Sequence, residues 1–150
     1  MIVKTSKNKI RINDTLKELT YVNEMTITVG LFMAAIGTFL GGVWANESWG
    51  RYWGWDPKET WALVIVLYYA MLLHLRFIPK ANGKYLFNLL SVIGLGVVLM
   101  TYFGVNYYLS GLHSYAAGDP VPIPTFVPIT IGVIFVIAGI AYFRNRRTLD

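Results

Sequence analysis

Two histidines are the residues of this sequence best suited to metal chemistry. His74 lies within a long apolar stretch, and His113 lies in the run 111–115 between two apolar stretches. A neutral imidazole is the commonest metal ligand in proteins and a usual axial ligand of haem iron. The chain has no cysteine, which excludes disulfides, thiolate metal sites and a cysteine nucleophile. Because exposed histidines without a function are also common, residue type alone leaves both interpretations of His113 open.

The tryptophans are the second chemical feature, because all five lie in one short segment. Residues 44–61, called the tryptophan segment below, contain Trp44, Trp49, Tyr52, Trp53, Trp55 and Trp61. Tryptophan favours membrane interfaces, but an aromatic belt is expected at both interfaces rather than at one. We therefore favour a ligand platform, a flat apolar surface held at the outer leaflet, with a simple belt as the alternative.

Two cations and two carboxylates also lie in the tryptophan segment. Arg51 and Lys58 either pair with ligand carboxylates such as haem propionates or are solvated surface charges. Asp56 and Glu59 flank Pro57 and Lys58 in the order of an N-cap residue, a first-turn proline and a capping-box glutamate. This pattern predicts that both carboxylates start a helix, and no catalytic residue is predicted in the chain.

Four long apolar segments must position these residues. Hydrophobic residues make up 55% of the chain and charged residues only 14%, against roughly a quarter charged in soluble domains. A membrane-spanning helix needs about 20 mostly apolar residues. Segments 25–44, 61–75, 86–107 and 126–143 qualify, the second with the help of Thr60 and Phe77. We predict an all-α membrane protein with four transmembrane helices and a Trp-rich extracytoplasmic loop between the first two.

The basic residues predict the orientation of these spans. Of thirteen, five lie in residues 1–24, three in 76–85 and three in 144–150, whereas only Arg51 and Lys58 lie on the opposite side. The positive-inside rule then places both termini in the cytoplasm. Topology explains the net charge of +5, and we exclude nucleic acid as a partner. The predicted organisation is a basic cytoplasmic segment over 1–20, a transmembrane domain over 21–143 and a basic cytoplasmic tail over 144–150.

The same topology separates the two histidines. About 21 Å of helix lie between Thr60 and His74 at a rise of about 1.5 Å per residue, so His74 is expected near the cytoplasmic side and His113 outside. An ionisable residue at membrane depth indicates function by default, although His74 is close enough to a helix end to be merely interfacial. The two histidines cannot bind one iron. If both are ligands, the chain has two binding positions.

Small and amide residues within the spans are expected to pack the helices together. Glycines recur as a GxxxG pair and as further single positions: Gly37, Gly41, Gly94, Gly96, Gly132 and Gly139. We interpret them as sites of tight packing among these four helices rather than as a dimer interface. Asn88 and Asn106 are interpreted as interhelical hydrogen-bonding groups.

The run WGRYWGWDPKETW over residues 49–61 closely resembles the tryptophan-rich signature, known as WWD, of cytochrome c assembly proteins. Its form is most similar to that of the CcsA (ResC) type. The runs LHLR at 73–76 and GLHSY at 111–115 match in the same order, and the resemblance covers about residues 15–125. Because only one span precedes the motif, the chain resembles the C-terminal portion of such a synthase.

The resemblance implies a ligand, partners and a location. In that family the WWD segment binds haem on the external face, which implies haem b contacts for Trp44, Trp49, Arg51, Tyr52, Trp53, Trp55 and Trp61. It further implies that His113 is an axial ligand at this external site and His74 one at an inner site. The implied partners are a CcsB (ResB) type protein or the missing N-terminal spans, and apocytochrome c, whose reduced CxxCH cysteines join the haem vinyl groups. The implied location is the bacterial cytoplasmic (inner) membrane.

The resulting hypothesis is a haem-binding subunit that presents haem for covalent attachment to apocytochrome c, as part of a larger synthase. One alternative is a haem transporter or exporter component without attachment activity. A second alternative is a structural assembly subunit whose tryptophan segment docks a partner at the membrane surface.

Overall fold

The computed structural model of this chain describes residues 6–79, 81, 83–109 and 122–146. In this part of the chain every regular element is helical. Four of the helical stretches are long and apolar enough to cross a membrane: Ile10–Trp49, Pro57–Phe77, Lys84–Tyr108 and Phe126–Arg144. The prediction of an all-α membrane protein with four spans is confirmed.

Helix α1 covers Ser6–Trp49 and is much longer than the predicted first span. Its 44 residues correspond to about 66 Å at about 1.5 Å per residue, roughly twice the hydrocarbon thickness of a bilayer. The helix begins inside the segment predicted as a separate basic region, because the polar residues there include no helix-breaking proline or glycine. It ends at Gly50, where φ is 71° and the N–H donates to the carbonyl of Asn46 at 2.8 Å. Glycine is the usual residue of such a left-handed helix end.

Helix α2 covers Pro57–His74 and continues as a 3-10 turn over Leu75–Phe77. It stops there because Ile78 is extended, with φ −97° and ψ 110°, which is the conformation favoured before a proline such as Pro79. The third span consists of helix α3 over Lys84–Leu99, a π-helical segment over Met100–Gly104, and helix α4 over Val105–Tyr108. Helix α5 covers Phe126–Arg146.

Helix α1 packs on α2 and α3, α2 packs on the whole third span, and α5 contacts α3. Polar ties cross these interfaces: Asn88 accepts from the Asn23 amide at 3.0 Å and donates to Thr20 Oγ1 at 2.8 Å. The Tyr85 hydroxyl donates to the Ala138 carbonyl at 2.8 Å. The interpretation of Asn88 as an interhelical hydrogen-bonding group is confirmed.

The glycines divide into one packing position and several open ones. A Cβ atom added to Gly94 would lie 2.8 Å from Tyr68 and 2.9 Å from Tyr69, so α2 and α3 approach closely there. An added Cβ would meet no atom within 4 Å at Gly37, Gly41, Gly96, Gly132 or Gly139. The expectation of tight packing is therefore correct at Gly94 and wrong at these five positions, whose helix faces do not press against another helix of the described chain.

Candidate functional site

The tryptophan segment is a helix end, a turn and a helix start. Trp44 and Trp49 lie on α1, Trp61 lies on α2, and only Trp53 and Trp55 lie in the connection over residues 50–56. The predicted Trp-rich loop is therefore corrected to a shorter turn. The physical reason is that α1 persists as far as Trp49 and α2 begins immediately after Asp56.

The start of α2 is held by the predicted capping box, which is confirmed. Asp56 is the N-cap, only 7% exposed, and its Oδ1 accepts from the Lys58 N–H at 3.1 Å. Glu59 Oε2 accepts from the N–H of Asp56 at 3.2 Å and from the N–H of Gly54 at 2.7 Å. The second of these bonds extends the cap into the turn, so Glu59 fixes the backbone beneath Trp53 and Trp55 as well as the helix start.

The indoles of the turn and of the α1 end form two edge-to-face pairs. The Trp44 and Trp49 ring centroids are 5.1 Å apart with planes at 81°, and those of Trp53 and Trp55 are 5.7 Å apart at 89°. This geometry is the favourable one for aromatic quadrupoles. Trp44, Tyr52 and Trp55 are nevertheless exposed. The segment thus offers rigid aromatic surface that the described chain does not cover.

Trp55 carries backbone strain. Its φ is 56°, in the left-handed region that L residues other than glycine, asparagine and aspartate rarely adopt. Its indole is 70% exposed, so burial of the side chain does not account for the conformation. Strain of this kind is concentrated at functional positions, which makes Trp55 a candidate contact residue.

A groove of about 390 Å³ lies between α1 and the tryptophan segment. One wall is a stripe of small α1 residues: Ala34, Gly37, Thr38, Gly41, Gly42 and Ala45. The other residues that line it are Trp44, Tyr52, Trp53, Lys58, Glu59 and Ala62. We call this cleft the aromatic groove. The cleft is open rather than enclosed, and the glycines of α1 are what make room for it.

The two cations of the tryptophan segment have different positions. The Arg51 guanidinium lies against the backbone of Gly54, in the space that a Cβ on that residue would occupy. Lys58 lines the aromatic groove, and its Nζ donates to Asn106 Oδ1 at 2.9 Å. Of the described residues around the groove, Lys58 supplies the cationic group, whereas Arg51, Trp49, Trp55 and Trp61 are outside the lining. Asn106 is confirmed as an interhelical hydrogen-bonding residue.

His74 lies at the opposite end of α2 from the groove. Seventeen helical steps from Pro57 to His74 correspond to about 25 Å. Its Nδ1 is 2.7 Å from the Ala70 carbonyl oxygen, and because a carbonyl only accepts, Nδ1 carries the proton. In the neutral imidazole Nε2 then keeps its lone pair, which is the orientation that metal-ligating histidines usually have. His113 lies outside the described residues.

The turn after His74 is tied to α1 by an ion pair. Arg76 Nη1 lies 2.6 Å from Glu24 Oε1, and the Arg76 guanidinium stands 5.1 Å from the Phe77 ring centroid. The Phe77 ring is in turn 5.8 Å from the imidazole of His74. These contacts fix the helix end on which His74 lies.

The donor chemistry suits a pre-formed metal complex better than a bare ion. Among the described residues, no group of three or more His, Cys, Asp and Glu side chains could hold a metal. Haem needs only axial ligands from protein, because the porphyrin supplies the remaining ones. An apolar groove with aromatic walls and one ammonium group matches the flat apolar ring and the carboxylates of such a ligand.

The sequence model of the family described as Cytochrome C assembly protein matches residues 2–113 of this chain. The chain belongs to this family. Protein NrfI of Wolinella succinogenes is 56% identical over 114 residues, which are 76% of this chain and 13% of that protein. The cytochrome c biogenesis protein CcsA of Synechococcus sp. strain CC9902 is 49% identical over 107 residues, 71% of this chain and 34% of that protein.

The resemblance to CcsA-type cytochrome c assembly proteins is therefore confirmed. CcsA of Prochlorococcus marinus strain SARG is likewise 46% identical over 99 residues, covering 66% of this chain and 31% of the relative. The chain spans about a third of the length of the CcsA relatives and about an eighth of that of NrfI.

Sequence reasoning did not predict all the parts of the aromatic groove. It assigned Glu59 to the helix start alone, whereas Glu59 also holds Gly54 and lines the groove. It left open whether Lys58 pairs with ligand carboxylates or is a solvated surface charge, whereas the structure places Lys58 in the groove lining. It interpreted Gly37 and Gly41 as packing positions, although the spacing of small residues along one α1 face also fits a groove wall.

Proposed function

We propose that this chain binds haem b in the aromatic groove and presents it, at the outer face of the bacterial cytoplasmic membrane, for covalent attachment to apocytochrome c. The observation that carries the proposal is the groove itself, an apolar cleft with two tryptophans, a tyrosine and one ammonium group, in a chain of the cytochrome c assembly family. Both termini would then be cytoplasmic, in agreement with the distribution of basic residues.

In this proposal the chain contributes binding and orientation, while haem and apocytochrome c carry the reacting groups. Trp44, Tyr52 and Trp53 contact the porphyrin faces, and His113 ligates the iron. Trp49 supports Trp44 through its edge-to-face contact, and Trp55, paired with Trp53, presents its exposed ring as a further contact. The substrate's CxxCH thiols add across the haem vinyl groups, so that each S–H hydrogen ends on carbon and no external oxidant is required. A CcsB (ResB) type partner or further spans would supply the second axial ligand.

Haem binding is tested by the visible spectrum of the chain purified with its partner. We expect a Soret band whose intensity falls for His113→Ala and for Trp53→Ala, with at least about tenfold weaker haem binding, as for a central contact residue of an interface. Phe135→Ala is the matched control, because it removes an exposed aromatic ring from α5, away from the groove. A preparation without haem in the wild-type chain would contradict the proposal and favour a structural subunit.

Attachment is tested separately by co-expressing a CxxCH reporter. We expect haem that stays on the reporter after denaturation, in amounts that fall with the Trp53→Ala and His113→Ala variants. A haem-loaded chain that leaves the reporter unmodified would favour the transporter alternative.

His74 is proposed as the ligand of a second haem position, because it lies about 18 Å along α2 from Ala62, the groove residue of that helix nearest to it, with Nε2 left as the acceptor nitrogen. We expect His74→Ala to lower total bound haem, while haem added from outside to the variant still gives the Soret band of the groove site. Loss of that band on external loading would show that His74 does not serve a separate position.

A further inference from the structure

Lys58 occupies a position where local helix electrostatics do not favour a cation. It is the second residue of α2, and the N-terminal end of a helix carries partial positive charge that disfavours Lys and favours Asp or Glu. The capping box accounts for its neighbours Asp56, Pro57 and Glu59 but gives no role to an ammonium group. We therefore looked for the role of Lys58 in the contacts of its side chain.

The Lys58 side chain reaches the end of the third span. Its Nζ donates to Asn106 Oδ1 at 2.9 Å, across 48 positions of sequence. Asn106 Nδ2 donates to the Tyr102 carbonyl at 2.7 Å. Because an ammonium only donates and a carbonyl only accepts, these two partners fix which way the Asn106 amide is turned.

The anchor on the third span is packed at Gly104 and Val105, whereas Tyr102 and Phe103 are exposed. Tyr102 belongs to the π-helical segment Met100–Gly104, a form that often occurs at functional sites. The Met100 side chain fills the space where a Cβ of Gly104 would stand, and Val105 is only 2% exposed. A weaker contact joins the same segment to the tryptophan segment: Thr101 Oγ1 lies 3.4 Å from the Trp61 carbonyl oxygen, while its main hydrogen bond goes to the Val97 carbonyl at 2.9 Å.

We propose that Asn106 is a positioning residue for the aromatic groove, which acts through Lys58 without contacting the ligand. The Lys58–Asn106 hydrogen bond holds the start of α2, and with it Trp53 and the turn, in a fixed position against the third span. Asn106 itself is not among the described residues that line the groove. The effect of Asn106 on ligand affinity rests on the proposed haem function, whereas its effect on the tryptophan segment does not.

The ligand-free chain provides the first test, because all five tryptophans lie in residues 44–61. Tryptophan emission of the purified chain in lipid vesicles therefore reports on this segment alone. We expect Asn106→Ala to shift the emission maximum to longer wavelength and to increase quenching by iodide. Asn106→Asp keeps an acceptor for Lys58 and is expected to retain the wild-type emission. Asn88→Ala, at the other end of the third span, is the matched control and should leave the emission unchanged.

Haem titration provides the second test. Asn106→Ala is expected to weaken haem binding about tenfold, the effect of one lost charge-assisted hydrogen bond, and Asn106→Asp to recover most of it. Lys58→Met breaks the same bond from the other side, so its effect on emission should not add to that of Asn106→Ala in the double variant.

The outcomes separate the two proposals. Unchanged emission in both Asn106→Ala and Lys58→Met would overturn the positioning role, whatever happens to haem. Changed emission in a chain that binds no haem would uphold the positioning role and contradict the haem function. If thermal unfolding shows that Asn106→Ala does not fold, Lys58→Met with the Asn106→Asp comparison decides the question. Additive effects in the double variant would also overturn the proposal.

Discussion

Replacing Glu59 by alanine is expected to release the turn of the tryptophan segment. Glu59 Oε2 accepts two backbone N–H groups, those of Gly54 and Asp56. Partly buried N–H groups that lose their acceptor cost about 1–3 kcal/mol each, and a loss of about 2 kcal/mol raises local opening about 30-fold. Residue-resolved hydrogen exchange should show this acceleration at the Gly54 and Asp56 amides.

The charge of Glu59 can be separated from its geometry. Glu59→Gln retains a side-chain carbonyl oxygen and is expected to keep most of the protection at both amides. Glu47→Ala removes an exposed carboxylate from the last turns of α1 and serves as the control, with unchanged exchange at the turn. Equal exchange in Glu59→Ala and the wild-type chain would mean that the extended capping box does not hold the turn. Because Glu59 also lines the groove, loss of haem binding in this variant would not by itself test the cap.

A second large effect is expected at the contact of α2 with α3. Gly94→Ala places a Cβ 2.8 Å from Tyr68 and 2.9 Å from Tyr69. Tyr68 cannot withdraw freely, because its hydroxyl donates to the Leu90 carbonyl at 2.7 Å. Overpacking of this kind costs about 1–3 kcal/mol, which exceeds or matches the gain of about 1 kcal/mol in helix propensity on replacing glycine by alanine. We expect a lower thermal unfolding temperature for the purified variant.

Gly96→Ala is the matched control, two residues further along the same helix. An added Cβ at Gly96 meets nothing within 4 Å, and alanine has the higher helix propensity by about 1 kcal/mol. The control is therefore expected to unfold at the wild-type temperature or slightly above it. If the two variants unfold at the same temperature, the close approach of α2 and α3 at Gly94 does not contribute to stability.

The features that the sequence predicted correctly depend on local rules. The four spans were predicted because each needs about 20 mostly apolar residues, and four segments of the sequence provide them. The start of α2 was predicted because Asp56, Pro57 and Glu59 stand in capping-box order. The family resemblance was noticed from the residue types and spacing of residues 49–61. The match of the family's sequence model to residues 2–113 confirms it. These signals lie within a few residues of one another.

The features that were missed depend on contacts between distant residues. Hydropathy marked the apolar part of α1 but not its helical continuation to Ser6, since amphipathic or polar helix adds no apolar run. The residues adjacent to Gly37 and Gly41 in sequence do not indicate whether another helix or an open groove lies against these glycines. The partner of Lys58 is 48 positions away, and the packing of Arg51 on Gly54 depends on how the turn folds.

The left-handed backbone conformation of Trp55 affects the stability of the folded chain. A left-handed φ of 56° costs an L residue with a bulky side chain about 1 kcal/mol or more relative to glycine. Glycine at this position would relieve that cost, although it would also remove the edge-to-face contact of the Trp55 ring with Trp53. Stability and the presentation of that ring are thus in direct conflict at this residue, and a search for thermostable variants should favour its loss.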